Sequence, residues 1–300
     1  MGSVTGGNGG DGGSAFGNGG GGGGGGSGLA VRANNTTITV TSAQGGNGGN
    51  GGTSGTPGRR GGAGSGIYIN GTGNTVHASG TIAPGTGATT ADAINMASGI
   101  NTVELTAATV NGSVRTLGVA GNTLRGTGTI NGDVLLGAGS IAPGHSIGTM
   151  TMAFLDLRGG VYNAEIDAGA STSDLIHVNG PASSDPSPRD KAAWIDGATL
   201  NISNLGGTPA AGQAYTLLTA THGIYGSFTL GTLPTGVTGT LSYPTLPTPS
   251  VVFTITAAPL AAGSATAIPT LSTWGLGALS LLLAGGAFWA RRRTAGQRSA

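Results

Sequence analysis

The stretch SGIYINGTGNTVHAS, residues 65–79, decides the fold because the chain repeats it. SGLAVRANNTTITVT, residues 27–41, stands 38 positions earlier, and AINMASGINTVEL, residues 93–105, aligns at 27 positions further on. A shorter echo, GNTL, occupies residues 121–124. In each copy apolar residues take every second position, which is the period of a β-strand. In this alignment Leu29 and Ile94 correspond to Ile67, Val31 and Met96 correspond to Ile69, and Ile38 and Val103 correspond to Val76.

Repeats at this spacing are typical of stacked units, each of which needs a neighbour to bury its apolar face. We therefore predict an all-β chain that forms a right-handed parallel β-helix, a solenoid, in which glycine-rich linkers are loops that leave the stack. Asparagines at the corners of the coils would suit turn conformations. A β-sandwich is the competing arrangement. The predicted core is a column of eleven residues: Ile38, Val40, Ile67, Ile69, Val76, Ile94, Met96, Val103, Leu124, Ile130 and Val134.

The composition is far from that of an ordinary globular domain, with 64 glycines in 300 residues and only 8% charged residues. Glycine has no side chain to bury and loses the most entropy on ordering, so the glycine-rich residues 1–66 are expected to be loops or turns of a repeated coil. A disordered spacer is the alternative for this region. The absence of cysteine excludes a disulfide scaffold, a thiolate metal site and a cysteine nucleophile.

The charge of the chain is unevenly distributed. Four of the 12 basic residues are arginines of the last ten positions, which leaves 8 basic against 11 acidic residues in the remainder. A nucleic-acid partner would need a basic face that displaces counterions. We therefore expect no nucleic acid to bind.

The C-terminal stretch WGLGALSLLLAGGAFWA, residues 274–290, contains no charge. As a helix it would be about 26 Å long, close to the thickness of a membrane's hydrocarbon core. Trp274 and Trp289 stand near its two ends, where indole rings favour the membrane interface. The basic block Arg291, Arg292 and Arg293 follows directly and predicts a cytoplasmic tail with the body outside. A buried helix of a soluble domain is the alternative.

The residues just before this stretch complete a recognisable order of parts. Ile268, Pro269, Thr270 and Leu271 precede Trp274, the apolar segment and the arginines. Residues 266–293 resemble the IPTL-type C-terminal sorting domain of Gram-negative bacteria, a relative of exosortase signals. The resemblance implies export across the inner membrane, a pause on the helix, and cleavage near the motif by an exosortase-like enzyme before delivery to the cell surface.

A second resemblance covers the middle of the chain. Residues 126–150, GTGTINGDVLLGAGSIAPGHSIGTM, and the strand-like phrases after them resemble the distal passenger region of autotransporters across residues 93–256. The resemblance implies that a β-helix ends here in a strand-rich cap. No outer-membrane β-barrel follows Thr256, which departs from that family and removes its route of self-translocation.

Several short patterns resemble catalytic or ligand-binding motifs but lack the sequence context that such sites need. GHSIG, residues 144–148, matches the nucleophile elbow G-x-S-x-G, but Pro143 and a strand-like run flank it instead of a strand and a helix. His77, His177 and His222 show no spacing or partner that would favour a triad. GGNGGD, residues 6–11, is one incomplete copy of a calcium-binding nonapeptide. The glycine tracts contain no P-loop, because none leads into Lys-Ser or Lys-Thr.

Carboxylates offer the main alternative to a structural protein. Glu165 and Asp167 are two residues apart, hence on one face of a strand, and Asp156 and Asp174 are near in sequence. Such a pair is compatible with glycoside chemistry, and equally with the polar face of an edge strand. In the insertion at residues 183–197, the residues Arg189, Lys191 and Trp194 could contact a carbohydrate or a protein, although a solvated loop is the simpler interpretation.

The sequence thus predicts an exported, membrane-anchored or sorted surface protein, structural or adhesin-like, with no catalytic residues, cofactor or metal. Its partners would be the membrane, a sorting enzyme and envelope or extracellular polysaccharide. The alternative is a tethered β-helical carbohydrate-active enzyme. Residues 1–25 lack a secretory signal, so we expect a missing N-terminal part that carried it. The predicted regions are 1–66 glycine-rich, 67–148 β-helix repeats, 149–257 β cap, 258–267 linker, 268–293 sorting segment and 294–300 tail.

Overall fold

The computed structural model describes residues 2–14, 17–116, 119–180, 192–258 and 279–285. The chain separates into two compact units, Met1–Pro259 and Leu260–Ala300. In its described residues the first unit is all β. Its strands, numbered in chain order, are β1 Ser3–Thr5, β2 Leu29–Val31, β3 Thr37–Val40, β4 Ser42–Gln44, β5 Ile67–Ile69, β6 Thr75–Ala83, β7 Ile94–Met96, β8 Thr102–Val110, β9 Val114–Arg115, β10 Thr123–Leu135, β11 Ser140–Pro143, β12 Thr149–Asp156, β13 Val161–Asp167, β14 Thr172–Ser173, β15 Leu175–Val178, β16 Ala193–Trp194, β17 Thr199–Gly206, β18 Ala214–Ala220, β19 Ile224–Tyr225, β20 Thr229–Leu230, β21 Thr238–Ser242 and β22 Ser250–Ala257.

Most of these strands pair in parallel, and the pairs chain into three ladders. The first ladder contains β2, β5, β7, β9, the ends of β10 and β12, β16 and β19. The second ladder contains β3, the starts of β6, β8 and β10, then β11, β13, β17 and β20. The third ladder contains β1, β4, the ends of β6 and β8, the middle of β10, the start of β12, β15 and β18. At its last strand the third ladder turns antiparallel, because β18 pairs with β22 and β22 with β21.

The register of the ladders confirms the repeat alignment. Ile67 lies beside Leu29 on one side and Ile94 on the other, although these neighbours are separated by 38 and 27 positions in the sequence. Thr102 likewise pairs with both Thr75 and Thr123. Ten of the eleven predicted core residues are buried, and Ile38 is only partly buried. The alternation of apolar residues therefore points one face of every ladder into a common core.

A row of buried asparagines, the asparagine file, links successive copies by hydrogen bonds at one corner. Asn74, Asn101 and Asn122 are each at most 1% exposed. Asn101 Oδ1 accepts hydrogen bonds from the backbone and side-chain nitrogens of Asn74, at 3.0 and 3.1 Å. Asn122 Oδ1 in turn accepts from the backbone nitrogen of Asn101 at 3.0 Å. These side chains satisfy backbone amides that the corner removes from the ladders, which is the turn role expected of asparagine.

The residue before each of these asparagines adopts a left-handed backbone conformation. Gly73 has φ 71°, Ile100 has φ 62° and Gly121 has φ 85°. Glycine takes this conformation without strain, whereas a β-branched residue does not. The copy with Ile100 is therefore the strained one of the three. The side chain of Ile100 is 72% exposed.

The glycine-rich linkers form a hydrogen-bonded array that we call the glycine bundle, made of residues 6–13, 19–28, 45–52, 58–66 and 85–88. Its donors recur at every third residue: Gly20, Gly23 and Gly26 donate to the carbonyls of Gly13, Gly10 and Gly7, and Gly46, Gly49 and Gly52 donate to those of Gly26, Gly23 and Gly20. The other segments are joined in the same way. A period of three is that of the polyproline II helix, whose backbone groups all point outward.

Close approach of the backbones explains why these positions are glycine. A Cβ added at Gly49 would lie 2.1 Å from the carbonyl oxygen of Gly10, and one at Gly61 would lie 1.8 Å from that of Gly23. The third residue of each triplet faces outward and can be polar: Asn8 Oδ1 and Asp11 Oδ1 accept from the backbone amides of the residues at positions 47 and 50. Where the sequence predicts loops, the structure therefore has packed extended segments.

Candidate functional site

A compact polar cluster lies on the outer face of the second ladder. The side chain of Glu104 is 12% exposed. Its carboxylate oxygens lie 2.8 Å from His77 Nδ1, 2.9 Å from His145 Nε2 and 3.1 Å from Arg125 Nε. Arg125 Nη2 also lies 2.9 Å from His145 Nδ1. The residues come from β6, β8, β10 and the turn after β11, so the cluster joins four successive strands of the ladder. We call it the Glu104 cluster.

The geometry fixes the tautomer of His145. A guanidinium group only donates hydrogen bonds, so Nδ1 of His145 accepts from Arg125 and carries no proton. Nε2 therefore carries the proton and donates to the Glu104 carboxylate. The carboxylate is paired with one permanent cation and two imidazole donors, which offsets the cost of placing it in a poorly hydrated position.

The sequence contained the signal for this cluster. The copies that set Val76 on Val103 also set His77 on Glu104, and the echo sets Glu104 on Arg125. The sequence shows no spacing or partner that would favour a triad at His77, and the register places the carboxylate of Glu104 beside it. His177 Nδ1 is hydrogen-bonded to Thr219 Oγ1 at 2.7 Å.

A cleft of about 290 Å³ adjoins the cluster and contains two of the carboxylates that are near each other in sequence. Arg125, His145, Glu165 and Asp174 are among its lining residues. Asp174 is fully buried, and its two oxygens accept the backbone amides of Gly148 and Glu165, each at 2.8 Å. Asp174 therefore fastens the turn that contains GHSIG to strand β13.

The pKa of Asp174 is raised to about 7, chiefly by burial and to a smaller extent by the Glu165 carboxylate, against the two amide hydrogen bonds, which lower it. Because this pKa is higher in the folded chain than the ordinary value of 3.8, the folded state holds the proton more tightly than the unfolded state. The proton bound to Asp174 therefore contributes to the free energy of unfolding. This contribution is fully present below about pH 4 and is lost as the pH rises towards about 7.

We therefore expect the unfolding free energy of the wild-type body to fall, relative to Asp174→Asn, as the pH rises from about 4 to about 7. Urea unfolding of both proteins at several pH values measures the difference, in which the titration of the histidines cancels. A difference that stays constant over this range would show that Asp174 is ionised throughout.

The predicted pair Glu165 and Asp167 lies on the outward side of β13. Asp167 Oδ1 accepts the amides of Gly169 and Ala170, at 2.9 and 3.0 Å, and so stabilises the turn that follows the strand. Asp167 is absent from the lining of the cleft, whereas Glu165 is part of it. The structure thus places Glu165 near Asp174 and gives Asp167 a turn-forming contact.

Trp194 does not belong to the exposed insertion in which the sequence analysis placed it. It lies in β16 and pairs in register with Tyr225, and the two ring centroids are 5.6 Å apart. The guanidinium carbon of Arg158 lies 4.9 Å from the centre of the Trp194 ring, and Arg158 forms an ion pair with Asp156 at 2.6 Å. That hydrogen-bonded carboxylate raises the pKa of Arg158. Arg189 and Lys191 lie outside the described residues.

Within the described residues no group of three or more histidine or acidic side chains is arranged to hold a metal ion. Asp11, the acidic residue of the partial calcium motif, instead accepts the amide of Asn50 at 2.6 Å in the glycine bundle.

The predicted sorting site lies in the second unit. Ile268, Pro269, Thr270, Leu271, Trp274 and the arginines at 291, 292 and 293 lie outside the described residues. Residues 279–285, inside the predicted membrane segment 274–290, are helical, and the leucines at 279, 281, 282 and 283 are exposed. Among the described residues no helix is both long and apolar enough to cross a membrane.

Residues 266–293 match the family model of the IPTL-CTERM motif. This motif supports a secreted protein that is sorted to the cell envelope, and it implies membrane association and processing by an exosortase-like system. Among curated proteins none matches this chain.

Proposed function

We propose that this chain is a structural or adhesin-like protein of the Gram-negative cell surface, whose body is a right-handed parallel β-helix. The observation that carries the proposal is the IPTL-CTERM motif at the end of an all-β body. The apolar segment 274–290 would hold the exported chain in the inner membrane, with the arginines on the cytoplasmic side, until cleavage near residues 268–271 releases the body.

Three parallel ladders support a β-helix more than a β-sandwich. Sandwiches are built from antiparallel strands, whereas here each ladder repeats in parallel every 17 to 42 residues, as from Thr123 to Ser140 and from Ile176 to Leu218. One circuit through the three ladders corresponds to one coil. The buried file of asparagines at a corner is consistent with stacked coils.

The contacts of the polar residues support a body without catalysis. Glu104 is engaged by three side chains, and each oxygen of Asp174 accepts one backbone amide, so both carboxyl groups hold parts of the body together. The alternative, a carbohydrate-active enzyme, is favoured by one observation: Glu165 and the raised pKa of Asp174 occur in the same cleft.

A polysaccharide assay separates the two functions. We expect the purified wild-type body to release no reducing ends or unsaturated products from neutral or acidic polysaccharides. Activity that is present in the wild type and lost in Glu165→Gln, but kept in the matched outward-facing variant Asp167→Asn, would establish the enzyme instead.

Transplanting the tail tests the sorting half of the proposal. Residues 266–300 are appended to a secreted reporter in the native host, and a second reporter carries alanine at 268, 269, 270 and 271. We expect only the first reporter to be shortened and released from the inner membrane. Equal behaviour of the two reporters would show that the motif does not direct processing.

A further inference from the structure

We infer that the outer face of the first ladder binds a chain of a neutral polysaccharide. The inference deepens the proposed surface function, on which it rests, by naming the class of partner. Two features on this face carry it: a large polar groove at one end and a partly exposed aromatic pair farther along. We call the surface that joins them the first-ladder strip.

The groove has a volume of about 770 Å³, within the range of small-molecule sites. Asp92 lines the groove with a side chain only 15% exposed, and it accepts hydrogen bonds from Arg115 Nε at 3.2 Å and Asn95 Nδ2 at 3.0 Å. Asn131 lines the groove and donates to Asn111 at 2.9 Å. Carboxylate, amide and guanidinium groups held in fixed orientations can pair with the donor and acceptor hydroxyls of a sugar ring.

The aromatic pair lies on the same ladder as Arg115. Register pairs lead from Arg115 to Leu135, Asp156, Trp194 and Tyr225, one step per strand. At about 4.8 Å per step, Trp194 is about 15 Å from Arg115 along the strip. Tyr225 is 46% exposed, so one side of its ring is open to the apolar C–H face of a sugar.

The spacing and the charge of the strip select the ligand. A linear polysaccharide extended along the stack would place successive sugars near successive strands, over a length that joins the groove to the aromatic pair. The ionised side chains of the strip leave a net negative charge, because Arg115 and Arg158 lie among four carboxylates, Asp92, Asp133, Asp156 and Asp196. A polyanion would gain little from such a surface, whereas hydroxyl groups need no net charge.

Affinity electrophoresis tests the inference with the full chain, carried behind an export signal and purified after export. Gels contain soluble neutral glucan, xylan or mannan, or alginate as the acidic probe. We expect retardation in at least one neutral gel and none in alginate. Tyr225→Ala should weaken binding about tenfold through loss of the stacked ring, and Tyr225→Phe should retain it.

Matched variants distinguish the strip from the rest of the body. Asn131→Ala should weaken binding, whereas Asn163→Ala should not, although both remove an exposed asparagine pair joined at 2.9 Å. The inference would be overturned if no variant changed the migration in neutral gels, or if the protein were retarded in alginate alone. Surface delivery of each variant is measured in parallel, so protein that reaches the surface without binding contradicts this inference and leaves the proposed function standing.

Discussion

Gly49→Ala should lower the unfolding free energy of the body by about 3 kcal/mol, measured by urea unfolding. The amide of Gly49 donates to the Gly23 carbonyl at 2.8 Å, and its α-carbon faces a third segment of the glycine bundle. An added methyl group would stand 2.1 Å from the Gly10 carbonyl oxygen, so the backbones must separate and the hydrogen bonds that repeat every third residue must lengthen.

Gly10→Ala is the matched control, because it alters the other partner of the same contact. A Cβ at Gly10 has no heavy atom within 4 Å and would point to open space. We expect this variant to be neutral or slightly more stable, since alanine restricts the unfolded chain. If both variants lose the same stability, glycine is needed in this region for reasons other than close packing of backbones.

Asn101→Ala should be similarly costly, at about 3 kcal/mol. Its side chain accepts from both nitrogens of Asn74 and donates to the carbonyl of Ser98 at 2.8 Å, in a corner that water does not reach. Alanine leaves these buried partners unpaired, and each unpaired group costs about 1–3 kcal/mol.

The exposed residue Asn163 provides the comparison for Asn101. Its side chain accepts one hydrogen bond from Asn201, so Asn163→Ala should cost less than about 0.5 kcal/mol. Thermal and urea unfolding of the two variants measure the difference. An Asn101→Ala protein as stable as Asn163→Ala would mean that the asparagine file fills the corner without stabilising it.

The all-β architecture was predictable because strand period and repeat are both visible in the sequence. Alternating residues such as Ile67 and Ile69 identify the buried face, and the copies at 38 and 27 positions fix the register of neighbouring strands. The same alignment places His77 beside Glu104, but a polar pair has to be sought in the register, because no local motif indicates it. His145 joins them through a turn whose course the repeat does not determine.

The glycine bundle shows where hydrophobic periodicity gives no information. The triplets GGNGGDGGS at residues 6–14 and GGNGGNGGT at residues 45–53 have a clear period of three, yet they contain no apolar side chain to place. Their order comes from backbone hydrogen bonds between segments far apart in sequence, such as Gly9 to Asn47 and Gly22 to Arg59. Trp194 likewise depends on a distant strand, because Tyr225 and Arg158 determine its surroundings.

Sorting to the envelope through the IPTL-CTERM motif should determine where this chain is found in the cell. Its most direct test is the intact mass and location of the full chain, expressed behind a working export signal in a host with the sorting system, beside the variant with alanine at 268, 269, 270 and 271. We predict that the wild type appears at the surface shortened by its tail while the variant stays full length in the inner membrane. Both proteins unprocessed in the inner membrane would contradict the claim and reduce the segment to an anchor.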